Sequence, residues 1–314
     1  MSMIQKNIVK ELIWVDHKYI KINPCDHKEG HGSGLSVKIV LPCYCQAHCP
    51  FCFNNLTICT QKHNYEEFFS SLSHSLDLIF NNINNRPISL DITGNEPTFD
   101  VTVFSRLMDV LCKYKDKAQK IVLTTNGFRL KACLKYMKNV VDIVNISVHH
   151  YNYEIRKQIF WTLLIPDDND LKSIVKILKD DGITCTAVAV LYQNIENFKE
   201  FYDNFMSWAV DLGFKDIRMR SNFCANDKFI DDIIDTKFEV DDISVLNGLT
   251  TKIITNKNTG FETYILKGVK DLTDYVIWAE LVVDDDGKCY IDYNKRYPVN
   301  DSNIIFFNYF YIYV

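Results

Sequence analysis

The stretch Cys45-Gln46-Ala47-His48-Cys49-Pro50-Phe51-Cys52 decides how the fold and chemistry of this 314-residue chain are interpreted. Its three cysteines have the spacing C-x3-C-x2-C and follow an apolar run, Val37 to Leu41. A 4Fe–4S cluster normally takes four thiolates. Three thiolates from one tight loop would therefore hold three irons and leave the fourth iron open to a ligand that is not protein. The pattern predicts a reactive metal site rather than a purely structural one.

Three further motifs follow in order, each after a strand-like run. They are Gly94-Asn95-Glu96-Pro97, Thr124-Thr125-Asn126-Gly127 and Asn145-Ile146-Ser147-Val148-His149. With the cysteine loop, in which Phe51 precedes Cys52, this series resembles the radical S-adenosylmethionine (radical SAM) enzymes, whose hallmark is C-x3-C-x-aromatic-C. The usual G-G-E-P of that family appears here with Asn95 in place of one glycine. The resemblance covers about residues 35–222.

The resemblance implies that Cys45, Cys49 and Cys52 hold a 4Fe–4S cluster whose open iron is chelated by the amino and carboxylate groups of S-adenosyl-L-methionine. One electron from the reduced cluster then cleaves this cofactor to methionine and a 5′-deoxyadenosyl radical, which abstracts a hydrogen from the substrate. The substrate remains open between a small molecule, a nucleotide and a peptide. The expected partner is an electron donor such as flavodoxin or ferredoxin.

The residues expected to bind S-adenosylmethionine lie at or near the ends of the predicted strands. The family uses the loop after the second strand for the methionine amino group, with Glu96 as the candidate acceptor, and a helix-cap carboxylate is the rival interpretation. Small residues there let the backbone approach a ligand closely. The full set of candidates is Phe51, Gly94, Asn95, Glu96, Pro97, Asn126, Ser147, His149, Val190 and Arg218.

Most of these candidates have a second interpretation. Asn126 could bond a ribose hydroxyl or simply form a turn with the glycine that follows it. His149 could also bond a ribose hydroxyl, or it could be a hydrogen-bonded histidine of the core. Arg218 and Arg220 share one strand face and suit a carboxylate bidentately, or they pair with Asp91 or Asp216. His150, Tyr151 and Tyr192 are candidates for substrate contact.

The cysteine loop also admits other chemistry. Zinc could take the three cysteines with His48 or Cys43 as fourth ligand, although the usual second C-x2-C pair is missing. Cys43 competes with Cys45 as first ligand, and the family spacing favours Cys45. Two other functions therefore stay open: an activase that installs a glycyl radical on a partner protein, and a non-catalytic iron–sulfur or zinc module.

Strand-like and helix-like segments alternate from residue 35, which predicts an α/β fold with a parallel sheet. Six strands rather than eight indicate a partial (β/α)6, TIM-like barrel. Polar residues such as Asp91 alternate with apolar ones such as Leu90, so we expect a polar lumen, the alternative being a sheet with one solvated face. The strands are predicted at 35–41, 88–93, 121–125, 142–149, 183–191 and 214–220, and the helices at 64–84, 99–118, 129–138, 168–180 and 195–212.

Three regions are predicted along the chain: an N-terminal extension, 1–34, the barrel, 35–222, and a small β-rich region, 223–314, that would cover the substrate. Residues 223–250 look loop- or helix-like. Beyond them a hairpin is predicted, with a turn at Asp286-Gly287. Only Cys224 and Cys289 lie beyond the barrel, so no second cluster is expected.

Bulk composition narrows the function classes. The formal net charge of −5 gives no basic field for general nucleic-acid binding. The N-terminus lacks the apolar block of a signal peptide. The longest apolar stretch, Ile304 to Val314, is too short to span a bilayer, so no membrane association is expected. The 11 cysteines are then best interpreted as reduced thiols of a cytoplasmic protein.

Overall fold

The structure is a computed structural model, and only part of the chain is described. Tyr192 and Cys224, named above, lie outside that part, as do most residues of the N-terminal extension. The described residues are 12–15, 18–21, 35–52, 64–84, 86–191, 198–221, 242–246, 249–255, 261–266, 280–291, 295, 298–302 and 304.

Six parallel strands form the body of the fold, in the order in which they occur along the chain. Parallel neighbours need crossover connections, and helices supply them here. The predicted partial (β/α)6 barrel is therefore confirmed. The strands are β3 (Leu35–Leu41), β4 (Ile88–Gly94), β5 (Lys120–Thr125), β6 (Ile143–Ser147), β7 (Thr184–Leu191) and β8 (Asp216–Ser221). They follow a separate antiparallel pair, β1 (Leu12–Val15) and β2 (Lys18–Lys21).

The helices between these strands are α1 (Tyr65–Asn82), α2 (Val101–Cys112), α3 (Leu130–Met137), α4 (Tyr153–Phe160), α5 (Asp168–Asp180) and α6 (Phe198–Leu212). Four of these described helices, α1, α2, α4 and α5, begin at side-chain caps. Asp100, for example, accepts hydrogen bonds from the backbone N–H of Thr102 and Val103, which would otherwise have no partner at a helix start. None of the helices in the described ranges is both long and apolar enough to cross a membrane.

Helix α4 is absent from the sequence-based prediction. Its eight residues are too few to show a clear helical period. The local signal was its cap, because Asn152 accepts from the backbone N–H of Glu154 and Ile155. The helix ends where Trp161 adopts a left-handed φ of 50°.

The alternation along the strands separates two environments. Apolar side chains such as Ile39, Leu90 and Ile217 are fully buried under the helices. The opposite, concave face carries charged groups, and there the Lys38 ammonium lies 2.7 Å from Asp91 Oδ2. The lumen of the barrel is therefore lined by polar side chains, as the strand pattern predicts.

Strands from the C-terminal region extend the same sheet at both edges. On one side β11 (Glu262–Leu266) lies parallel to β8 and is followed outward by β10 (Leu249–Thr255) and β9 (Asp242–Leu246). On the other side β12 (Glu280–Val283) lies parallel to β3.

Two predictions for this region have different outcomes. The hairpin is confirmed, because β12 pairs with β13 (Cys289–Tyr290) across a turn in which Gly287 has a φ of 74°. The loop- or helix-like interpretation is wrong for residues 249–250, which begin β10, and for residues 242–246, which form β9. Ile243 and Val245 alternate there with polar residues, and this period of two marks a strand.

Candidate cofactor site

The three cysteines of the loop after β3 lie within electrostatic range of one another. Burial raises the pKa of Cys45 to about 11 and that of Cys49 to about 12, and the neighbouring thiolates add to both shifts. Among the described residues, no three His, Cys, Asp or Glu side chains are arranged to hold one metal ion. A cubane cluster does not need such an arrangement, because each thiolate binds a different iron. The donor set thus fits a cluster.

An apolar wall closes one side of this loop. Ala47 and Cys49 form a buried cluster with Phe160, at the end of α4, and with Ile165 just beyond it. The backbone N–H of His48 donates to the Phe160 carbonyl at 2.9 Å, which fixes the loop to the helix. Helix α4, missed from the sequence, therefore shields the sulfurs from water.

Cys43 has a different role from the other cysteines. It is 2% exposed, and its thiol donates to the backbone carbonyl of Glu96 at 3.1 Å. The side chain of Asn95 also donates, through Nδ2, to the Cys43 carbonyl at 2.6 Å. These bonds connect the segment after β3 to the loop after β4. Cys45, rather than Cys43, is thus grouped with Cys49 and Cys52.

Gly94 opens the loop Gly94–Pro97 in a conformation that favours glycine. Its φ is 104°, and an added Cβ would lie 2.8 Å from Val40 Cγ1. A side chain at this position would therefore be strained and would push β4 away from β3.

The Glu96 carboxylate is buried and already occupied by protein donors. It accepts hydrogen bonds from the hydroxyls of Thr98 and Thr125 and from the backbone N–H of Thr98 and Asn126, the last at 2.7 Å. Burial raises the pKa of Glu96, and the four donated bonds oppose this shift. In this structure the carboxylate connects the loops after β4 and β5. A cofactor amino group would have to compete with these donors, and we assign any such contact to the loop backbone.

Asn126 contacts the cysteine loop directly. Its Nδ2 donates to Cys45 Sγ at 3.5 Å, and its Oδ1 accepts from Gln46 Nε2 at 3.0 Å. The backbone N–H of Phe128 also donates to Oδ1, so the turn interpretation holds as well. Gln46 donates further to the Leu164 carbonyl at 3.1 Å. Sequence reasoning missed Gln46, because the two acceptors of its side-chain N–H groups lie at least 80 positions away.

His149 lies just past the end of β6 with a left-handed φ of 61°. Its Nδ1 accepts from the backbone N–H of Val190 at 3.0 Å, so the neutral ring carries its proton on Nε2. Burial, with the nearby charge of Arg220, lowers the pKa of His149 to about 3. The Phe51 ring lies 4.7 Å away, edge to face. Phe51, His149 and Val190 are thus brought together.

The two arginines of β8 differ in their surroundings. Arg218 lies 4.0 Å from Asp216 Oδ1, and its guanidinium lies 5.8 Å from the Tyr264 ring centre. Arg220 instead acts on the pKa of both His149 and Lys38. Of the two, Arg220 is therefore the arginine whose charge acts on His149, a predicted cofactor residue.

The remaining candidates border this group. Ser147 is half-buried at the last position of β6. His150 packs against Tyr151, with ring centres 4.4 Å apart, and against Phe201. Burial and the charge of Arg156 lower the pKa of His150 to about 4, so its ring is neutral at ordinary pH.

The model of the radical SAM superfamily matches residues 39–205, more than half of the chain, and the chain therefore belongs to this superfamily. Its members use a 4Fe–4S cluster and S-adenosylmethionine. No curated protein sequence matches the chain.

Solved structures agree on the fold. SuiB from Streptococcus suis bound to S-adenosylmethionine has 12% sequence identity and a TM-score of 0.54, over 83% of this chain and 61% of that one. SuiB bound to precursor peptide SuiA has 13% identity and a TM-score of 0.53, over 83% and 60%. This chain thus spans about three fifths of the length of those proteins.

Proposed function

We propose that this chain is a radical SAM enzyme with a single cluster. The observation that carries the proposal is the convergence of three loops on the segment 43–52, which contains the three thiols. The loop after β4 bonds to Cys43, the loop after β5 bonds to Cys45, and Phe51 packs on His149 at the end of β6. A protein that only carried electrons would not need this arrangement around the cluster.

Cys45, Cys49 and Cys52 would hold the cluster. When bound, the cluster and S-adenosylmethionine supply a 5′-deoxyadenosyl radical that removes a hydrogen atom from the substrate. The protein shields the thiolates with Phe160 and Ile165 and donates N–H groups to Cys45. These contacts exclude water, which would quench the reaction.

The cofactor residues then divide by chemistry. The loop Gly94–Pro97 offers backbone carbonyls to the amino group. Phe51 and Val190 offer apolar surface to the adenine, and Ser147 and His149 offer polar groups to the ribose. The methionine carboxylate of the cofactor suits a guanidinium of β8. Arg218 is the candidate from the sequence, and Arg220, whose charge acts on His149, is a second one.

The substrate is a small molecule, a nucleotide or a peptide. SuiB, whose solved structure contains a precursor peptide, supports including peptides among the compounds to test. We propose flavodoxin or ferredoxin as the reductant and the cytoplasm as the compartment, because a low-potential cluster needs a reducing environment.

The test is anaerobic reconstitution of the full chain with iron and sulfide, followed by reduction in the presence of S-adenosylmethionine. We expect 5′-deoxyadenosine to form in the wild type. Cys49→Ala should lose both the visible absorbance of the cluster and 5′-deoxyadenosine formation while it keeps the far-UV circular dichroism of the fold. Cys112→Ala, which replaces an exposed cysteine on α2, is the matched control and should behave as the wild type.

Two results would contradict the proposal. Intact S-adenosylmethionine after prolonged reduction, with the cluster verified, would favour an electron carrier. Tight binding of zinc without any iron would favour a zinc module.

A further inference from the structure

Three neighbouring strands carry polar side chains at one level of the lumen. Asn145 on β6 is paired in register with Thr186 on β7, and Thr186 is paired with Asp216 on β8. Paired residues on adjacent strands lie about 5 Å apart and point to the same face. Their chain neighbours Val144 and Ile217 face the helices, so these three side chains face the lumen. We call Asn145, Thr186 and Asp216 the lumen row.

The lumen row contains an unusual concentration of buried polar atoms without partners. In the described part of the chain, five buried side-chain atoms make no hydrogen bond, and three of them are Asn145 Oδ1, Thr186 Oγ1 and Asp216 Oδ1. The three residues are 9%, 0% and 8% exposed. A buried polar group without a hydrogen bond is costly, so native proteins rarely keep three together unless something else binds them.

The unpartnered atoms are mainly acceptors. Asn145 Nδ2 already donates to Thr124 Oγ1 at 3.4 Å, which leaves its carbonyl oxygen unused. Burial raises the pKa of Asp216, and the Thr186 hydroxyl and the charge of Arg218 oppose this shift. When ionised, Asp216 is negatively charged, and Glu262, its register partner on β11, adds a second carboxylate. Arg218, at 4.0 Å, compensates this charge only in part. A ligand that carries hydrogen-bond donors would therefore complement the row.

We propose that the lumen row binds a nitrogen group rich in N–H donors, an ammonium or a carboxamide, at one end of the substrate. The inference rests on the proposed function and names the substrate class for it. Asn145 precedes Ser147 by two residues and His149 by four, which is about 7 to 13 Å along a strand. The substrate is therefore an elongated molecule, with its nitrogen end in the row and its reacting carbon near the cofactor residues.

Binding of small probes tests the ligand chemistry without any need for turnover. Butylammonium, butyramide and butyrate are titrated against the reconstituted full chain by ligand-observed NMR. We expect saturable binding of the two nitrogen compounds and none of butyrate. Asp216→Asn should weaken the binding of butylammonium about tenfold, because a bond to a charged group is lost, and should weaken the binding of butyramide less. If neither nitrogen compound saturates, or if butyrate binds equally well, the proposal fails.

Stability provides the second test. Thr186→Val replaces a hydroxyl that makes no hydrogen bond of normal geometry and only opposes the rise in the pKa of Asp216, so we expect an unchanged or higher Tm together with weaker probe binding. Thr263→Val is the matched control, because the buried Thr263 hydroxyl lies 3.3 Å from the Tyr202 hydroxyl, and its removal should lower the Tm. A clear loss of Tm in Thr186→Val would show a structural role and overturn the proposal.

These outcomes are separable from those of the proposed function. Wild-type protein that binds the nitrogen probes but cleaves no S-adenosylmethionine would support the row and contradict the radical SAM reaction. Cleavage of S-adenosylmethionine without probe binding would support the radical SAM reaction and contradict the ligand proposed for the row. A lumen row that holds only ordered water with the probes present would also contradict that ligand.

Discussion

Two N–H groups donate to the Cys45 sulfur: Asn126 Nδ2 at 3.5 Å and the Ala47 backbone at 3.4 Å. Such bonds stabilise the more negative, reduced form of a cluster and so raise its reduction potential. The orientation of Asn126 is not free, because Gln46 and Phe128 both donate to its Oδ1. A single carboxamide thus connects the loop after β5 to the sulfur of Cys45, a predicted cluster ligand.

We therefore expect Asn126→Leu to lower the midpoint potential of the cluster. The ratio of reduced to oxidised cluster at a fixed potential should fall by about threefold to tenfold, where tenfold corresponds to 59 mV for one electron. Redox titration followed by EPR measures the shift. Asn204→Leu makes the same substitution at an exposed position of α6 and should leave the potential unchanged. An unaltered potential in Asn126→Leu with full cluster content would contradict this role.

His149 should make the fold more sensitive to acid. Its pKa of about 3 in the folded protein lies below the unfolded value of about 6.5, so between these values only the unfolded chain binds the proton. The stabilisation is complete above pH 6.5 and is lost as the pH falls. His149→Asn keeps an acceptor for Val190 and tolerates the left-handed φ.

The free energy of unfolding should therefore fall between pH 7 and pH 5 by about 2 kcal/mol less in His149→Asn than in the wild type. Chemical denaturation at the two pH values measures this difference. His150, whose pKa is also lowered, is present in both proteins and cancels. Equal pH dependence in the two proteins would show that His149 is charged or exposed in the fold.

At the scale of elements, α4 protects the cluster loop. Phe160→Ala should destabilise the protein by about 3–5 kcal/mol and should also speed the loss of cluster absorbance in air. Phe104→Ala, at a fully buried position of α2, is the matched control, because it should lose similar stability without faster bleaching at temperatures where the fold persists. Equal bleaching rates in the two variants would mean that α4 does not shield the sulfurs.

The turn between β12 and β13 packs directly against α1. A Cβ at Gly287 would lie 2.4 Å from the Phe68 carbonyl and 2.9 Å from the Leu72 nitrogen, and Ser75 Oγ donates to the Gly287 carbonyl. Gly287→Ala should thus cost about 2 kcal/mol or more. Gly182→Ala has a similar φ but no atom within 4 Å, so it should cost only about 1 kcal/mol. Denaturant unfolding of the two variants separates the effect of the clash from that of the φ strain. Equal losses in the free energy of unfolding would refute the clash.

At the scale of the whole molecule, C-terminal strands cover both edges of the six-stranded barrel sheet. Strand β12 pairs along four positions with β3, and β11 pairs along five with β8. A chain ending at Ser221 would expose two edges with unpaired N–H and C=O groups. We expect it to aggregate in size-exclusion chromatography under conditions in which the full chain does not. A monodisperse truncated chain with an intact cluster would show that the edges are covered by other means.

Local pattern explains most of what was predictable. The cysteine spacing, the strand-end motifs and the alternation in β4 and β6 are properties of short segments, so they indicated the barrel, its polar lumen and the cysteine loop. Helix α4 was too short to show its period, and the strand signal of β9 was overlooked beside an acidic segment. The pairing of β11 and β12 with the barrel edges links residues far apart in sequence.

By itself the sequence determined the parallel barrel and predicted the ligand set and the loops that meet at the carboxyl end of the barrel, because spacing and alternation depend on neighbours in the chain. Only the tertiary structure decided that Glu96 is occupied inside the protein, that Asn126 donates to the Cys45 sulfur and accepts from Gln46, and that Asn145, Thr186 and Asp216 align. The physical reason is that hydrogen bonds and burial depend on which distant segments pack together, and a linear pattern does not contain that information.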